Sequence, residues 1–419
     1  MSSNEKSNSG NDSSVTEYHP IAGEVGNLVK NVDAIAELLP LLMTIMQAAR
    51  MVAEKKYEAY LTEHGELMEE KKGIKQFRVG FEHRMQLTRL RRSNESARRG
   101  SRIVPRTLVV SLVSHYDNFL GKLMKHLFIL RPELLSAVDR QLTFTELAEF
   151  PSIEAAREYV LELEIESVMR KSHPDQFLWM EKRFQLPLRK DLPIWPQFVE
   201  LTERRNLFVH TGGLVSSQYL TVCAAHGVQY EADVAVGDML DVSPTYFKNA
   251  CSCLIEISTK LAQVLWRKID PTSIAIADRS LIEVTYELLE IENYELAKTL
   301  LDFGVNTLKR HSSDEDRRVL IINLAQSHKW LGEPETCNEI LDKEDWSSCS
   351  DKFKLGIAVL QDNFDEAVSI MKRIGPEGEV SDGDYKTWPL FKEFRKSEQL
   401  ESTFEEIFGK PFSTFESVE

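Results

Sequence analysis

A chain of 419 residues with 66 acidic against 51 basic side chains, a formal charge of −15, is not coated in phosphate-binding surface, so any nucleic-acid contact has to come from a local patch. Its five cysteines, Cys223, Cys251, Cys253, Cys337 and Cys349, form no Cys-x-x-Cys and no paired histidine spacing. That argues against a disulfide framework or a zinc site and fits a reducing cytoplasm; no metal and no cofactor are expected. The length predicts two or three domains of ordinary globular composition.

Residues 1 to 22, opening on a Ser- and Asn-rich stretch without an apolar signal core, are expected to be a disordered tail. Residues 23 to 104 read as a helical arm of two helices, the first apolar around Leu38 to Val52 and the second charged from Glu54 to Lys75. The apolar run is short for a membrane span and carries Pro40 and Arg50, so no membrane segment is expected. The arm closes on a basic connector: Arg84, Arg89, Arg91, Arg92, Arg98, Arg99, Arg102 and Arg106 face only Glu95, and the Ser, Asn and Gly among them point to a loop or a fraying helix. A solvated connector is the plain reading. Against an acidic background, Arg91, Arg92, Arg98, Arg99 and Arg102 are also the best candidates for touching an RNA backbone.

Nearly every ordered segment shows helical rather than alternating periodicity, which predicts an all-α fold. Residues 105 to 270 read as a bundle of four or five helices. Thr107 to Leu130 is strongly amphipathic, with Leu108, Leu112, Tyr116, Phe119, Leu123 and Leu127 at core spacing. Shorter helices are expected over Phe144 to Phe150, Ile153 to Arg170 and Pro174 to Phe184, then one over Trp195 to His210. Leu220 to Cys223 reads as briefly extended, and Ser243-Pro244 opens a long helix to about Lys268.

The Trp195 to His210 segment carries the chemistry. At about 100° per residue, Glu203, Asn206 and His210 fall on one stripe, and Arg205 borders it. Thr211-Gly212-Gly213 stops the helix just after the histidine, in whose last turn the dipole favours a protonated imidazole by a few tenths to about 1 kcal/mol. Arginine beside histidine suffices for metal-free RNA cleavage. Arg-x4-His alone is weak, occurring on the order of once by chance in such a chain; Arg78 to His83 repeats it with Gly80 inside and no glycine pair behind. The plain alternative is a helix end where His210 caps carbonyls and Arg205 is merely solvated.

Residues 271 to 419 change texture to short paired helices. Asn293-Tyr-Glu-Leu-Ala297, Glu333-Pro-Glu-Thr-Cys337 and Asn363-Phe-Asp-Glu-Ala367 place small residues where two helices would cross, and Leu324 to Gly332 resembles the first helix of a tetratricopeptide unit. Such an array would offer a face to a protein partner. Trp388 to Phe412 reads as a capping helix pair.

On Ser111-Leu-Val-Ser-His-Tyr-Asp-Asn-Phe-Leu120 and Arg204-Arg-Asn-Leu-Phe-Val-His210, the Pro105 to Ile269 block resembles the HEPN superfamily, helical bundles that include RNA-cutting toxins and defence proteins. The second segment looks like that family's Arg-x4–6-His motif, with Arg205, Asn206 and His210 at its positions. The resemblance implies an RNA substrate, His210 as proton carrier, Arg205 on the phosphate, Asn206 holding either, and a homodimer that supplies a second histidine. Glu203, Arg204 and Asp117, with Ser114 a further candidate, are expected in support. The family also holds members that only bind partners or nucleotides, so an adaptor stays open beside the nuclease. A carboxylate such as Glu203 pairing with Arg205 would favour the adaptor. A nucleotide-handling module ranks behind both, for want of a phosphate-cradling glycine loop.

Overall fold

Two long helices organise the chain. The computed structural model describes residues 19 to 71, 74 to 137, 142 to 230 and 233 to 412. The expected tail lies outside the described residues as far as residue 18, but helix α1 already begins at Pro20 and runs unbroken to His64, 45 residues. Helix α2 spans Arg84–Leu130, 47 residues; each is about 70 Å long. α1 passes through Pro40 and α2 through Pro105. An internal proline removes one helical hydrogen bond, at about 3 kcal/mol in isolation, and here packing on both sides of it offsets that loss.

Two expectations are corrected by this. The charged stretch is not a second helix: Gly65, with extended backbone, ends α1, and the chain turns through a two-stranded antiparallel hairpin, β1 (Gly65–Lys71) against β2 (Ile74–Val79). The arginine-rich segment is neither loop nor frayed end but the first half of α2. Apart from the hairpin and one isolated bridge between Leu214 and Met239, the described residues are all-α. Because α1 is continuous, it is also long and apolar enough to cross a membrane, judged by length and composition alone.

Past the bases of α1 and α2 the packing is dense. Ile21, Val25, Leu28, Val29 and Val32 of α1 and the Val109 to Phe128 face of α2 are buried together. His19 accepts from the Ile21 N–H and stacks on Trp266 at 4.2 Å, fixing where α1 begins. Around them stand α3 (Phe144–Ala148), α4 (Ile153–Met169), α5 (His173–Phe184), α6 (Trp195–His210), α7 (Ser217–Ala225) and α8 (Pro244–Ile269). α7 is helical where a brief extended stretch was expected; Ser216 caps it by accepting from the Tyr219 N–H. The core runs on without a break from Ile21 through α8 to Leu324, across residues 104/105 and 270/271.

Three helical hairpins follow: α9 (Ile274–Glu290) with α10 (Tyr294–Asp302), α11 (Asp314–Trp330) with α12 (Pro334–Asp342), and α13 (Asp351–Leu360) with α14 (Phe364–Ile374). The three similar phrases open the second helix of each. Before each, one residue takes a left-handed conformation, Glu292, Gly332 and Asp362, with φ of 58°, 81° and 56°, which ends the first helix and reverses the chain. Ala297, Cys337 and Ala367 are all 0% exposed at the crossings. The expected capping pair is instead α15 (Asp382–Thr387), two 3-10 turns and α16 (Glu398–Phe408).

Close crossing at these small residues predicts that Ala367→Leu overpacks the third hairpin and lowers stability by about 1–3 kcal/mol. Urea unfolding reads this directly, and an unchanged midpoint would show a looser crossing.

Candidate active cleft

The back of α6 is clamped before its front is armed. Glu200, 7% exposed, accepts from Arg204 Nε at 2.6 Å, Tyr219 Oη at 2.7 Å and Tyr246 Oη at 2.9 Å. Burial and the Glu200 charge push both phenols up, so they donate as neutral hydroxyls. Arg204 lies 4.0 Å over the Tyr246 ring and donates to the Asp241 carbonyl. Expected in the cleft, Arg204 is instead part of this rear clamp.

The helix then stops against α2. Thr211 N–H and Gly213 N–H both donate to the Leu207 carbonyl, at 2.9 and 3.0 Å, and Thr211 Oγ1 lies between the Leu207 and Leu214 carbonyls, at 3.0 and 2.8 Å. Capping is therefore done by Thr211 and the glycine turn, not by histidine. Gly212 and Gly213 have φ of +63° and +95°, and a Cβ on Gly213 would meet the Leu240 carbonyl at 3.0 Å and the Arg106 guanidinium at 3.2 Å. Arg106 reaches over from α2, donating to the Gly212 carbonyl and to Asp241 Oδ1 at 2.5 Å each, above the Phe208 ring.

At the front, Asp117 of α2 meets an arginine and a histidine. Its Oδ2 accepts from Arg205 Nη2 at 3.1 Å and its Oδ1 lies 3.0 Å from His173 Nε2. Arg205 Nη1 donates to Asn206 Oδ1 at 3.2 Å, and Asn206 Nδ2 in turn to Glu203 Oε1 at 3.4 Å. These groups line a cleft of about 610 Å³ that also takes in Lys171 and His210. His210 is exposed at its rim, and among the described residues no hydrogen bond holds its imidazole. Ser114 stands apart, exposed and bonded to the Val110 carbonyl.

The cleft corrects one role and adds another. Glu203 does not pair with Arg205; Asp117 does, and Glu203 holds Asn206. His173, 6% exposed at the first turn of α5, was not anticipated. The Ser172-His-Pro174 run marks a helix start, but nothing local signals a bond to an aspartate 56 positions earlier. A hollow of about 790 Å³ between α8 and α10 is larger, yet its Lys260 and Lys298 are paired with Glu256 and Glu295.

The arginine candidates share a face with the cleft. Taken at about 100° per residue, Arg91, Arg92, Arg98, Arg99, Arg102, Arg106 and Asp117 fall within an arc of about 120° on α2. Arg91 bonds Glu95 at 2.9 Å, and the first five arginines are exposed. A track of cations thus runs along one rod toward Arg106 and Asp117.

Burial raises the Glu203 carboxyl above its usual range, against smaller lowering from His173 and Asn206. A folded state that binds this proton more tightly than the unfolded chain loses stability as pH rises through the carboxylate range. Glu203→Gln is accordingly expected to raise the melting temperature at pH 7 and to change it little near pH 4; a pH-independent shift would assign the effect to packing. The chain matches no family model, no curated protein and no solved structure among known proteins.

Proposed function

We propose that this protein is a metal-independent endoribonuclease of HEPN type, acting in the cytoplasm. The observation that carries the reading is one cleft holding Arg205, Asn206 and an uncommitted His210 at a helix end that other groups already cap. A 2′-hydroxyl would attack the adjacent phosphorus as its proton passes to a base. The P–O5′ bond would break with protonation of the leaving oxygen, giving a 2′,3′-cyclic phosphate and a 5′-hydroxyl. Arg205 spends two of its five N–H donors on Asp117 and Asn206; others remain for the charge gathering on the phosphorane. His210 carries one proton, and a second copy of the chain would bring the other histidine.

Asp117 and His173 act at one remove, aiming the guanidinium. The arginine track on α2 would hold the RNA backbone. The C-terminal hairpins, read as tetratricopeptide-like, would bind a protein partner or trigger, and a stress or antiviral role follows from the resemblance alone. One observation favours the adaptor instead: Asp117, 3.1 Å from Arg205, puts negative charge where a phosphate would sit.

In chelator, the wild type is expected to cut cellular RNA to 2′,3′-cyclic ends, with His210→Ala and Arg205→Ala each slower by about 10²–10⁴-fold. Undiminished cutting by either variant would remove that residue from the chemistry, and silence from the wild type would favour the adaptor. Arg98→Ala with Arg102→Ala should weaken RNA binding and reduce the log–log salt slope by about 1 for each phosphate no longer neutralised; an unchanged slope would place the RNA elsewhere.

A further inference from the structure

Beyond the bundle, α1 and the first half of α2 run side by side as an arm tipped by the hairpin. Their contact is a heptad seam: Met43, Met46, Ala53, Tyr57 and Tyr60 of α1 are half-buried, as are Leu87, Leu90, Ala97 and Val104 of α2. α1 has a second row with the same period. Ala34, Leu38, Leu41, Ile45, Ala48 and Val52 alternate at four and three residues, and every one is exposed. The large members, Leu38, Leu41, Ile45 and Val52, stand at 52%, 58%, 55% and 54% exposure.

We propose that this outer row of α1 is a coiled-coil seam occupied by the same row of a second copy of the chain. The period dictates a helical occupant, because a row recurring every 3.5 residues stays in register only with a partner helix winding about it. β-branched Ile45 and Val52 at one heptad position and Leu41 at the other suit pairing, and the alanines permit close approach. No other described helix leaves such a row exposed, so the matching partner is α1 itself, in a contact using one patch twice.

Charge points the same way. Copies of net charge −15 repel, yet the middle of the row, from Leu38 to Ala49, contains no charged residue, so that part of the contact adds no repulsion. The exposed arginines also argue against lipid as occupant. From the shared seam the apolar row of α1 is turned about 120° one way, and Arg91, Arg98 and Arg102 of α2 about 90° the other way. In an antiparallel pair those displacements come out on opposite faces. A helix lying on a membrane sets its cations beside the apolar row; Arg91, Arg98 and Arg102 face away from it, and the exposed Arg89 and Lys56 that share its side lie beyond Val52, toward the hairpin.

The surface is separate from the cleft, and the inference does not rest on the cleavage reading. Sedimentation velocity of the full chain over a micromolar concentration series should show a dimer. Ile45→Lys should weaken association by tenfold or more with the helical circular dichroism unchanged. Leu41→Gln serves as a milder second variant, and Ile129→Lys, altering an equally exposed residue outside the arm, should leave the dimer intact. A wild type monomeric throughout, or a dimer indifferent to both seam changes, overturns the proposal. So does a monomer that floats with phosphatidylcholine–phosphatidylserine vesicles through Ile45, which would make the occupant a membrane.

Discussion

The cleft depends on α2 staying one rod across Pro105. The residue just beyond that proline, Arg106, reaches the Gly212 carbonyl and Asp241, and Asp117 follows three turns later on nearly the same face. A break at Pro105 would separate the arginine track from the turn it points to. What prevents one is the buried row from Val109 to Phe128 on one side and the seam with α1 on the other. The helical bond that the proline lacks is therefore a local cost set against long stretches of packed surface.

α6 is held in two independent ways, which is why its exposed end can carry polar groups without fraying. Behind it, Glu200 gathers an arginine and two phenols in a buried cluster whose acceptors are used several times over. Ahead of it, the Leu207 carbonyl takes two N–H donors from the Thr211-Gly213 turn, with the Thr211 hydroxyl beside it. Helix ends normally lose order because their last carbonyls lack partners. Here the Leu207 carbonyl is met by threonine and backbone, and the histidine imidazole beside it takes no part in that cap.

The helical periods, the Trp195 to His210 boundaries and the start of each C-terminal hairpin's second helix are legible in the sequence because caps, prolines and small residues announce them locally. The arm is not, because its signals conflict. Pro40 inside an apolar run and glycine among arginines argue for breaks, but a heptad of half-buried contacts between distant segments overrides them. At the cleft, the stripe of Glu203, Asn206 and His210 follows from helix geometry alone. The pairing of Asp117 with Arg205 and with His173 joins residues 88 and 56 positions apart, and no single-chain periodicity reports such a bond.

In the proposed reaction Asp117 would act with two signs. It would repel a phosphate, and it fixes the guanidinium that would attract one. At about a quarter exposed, the Asp117–Arg205 pair is partly wet, so its net strength is modest and a bidentate phosphate could compete for the same donors. His173 tips that balance. Bound to the other carboxylate oxygen and 6% exposed, it keeps Asp117 at the edge of the cleft. An arginine held in this way would lose little freedom on binding a phosphate, and such preorganisation is where charge stabilisation in an active site gains over water.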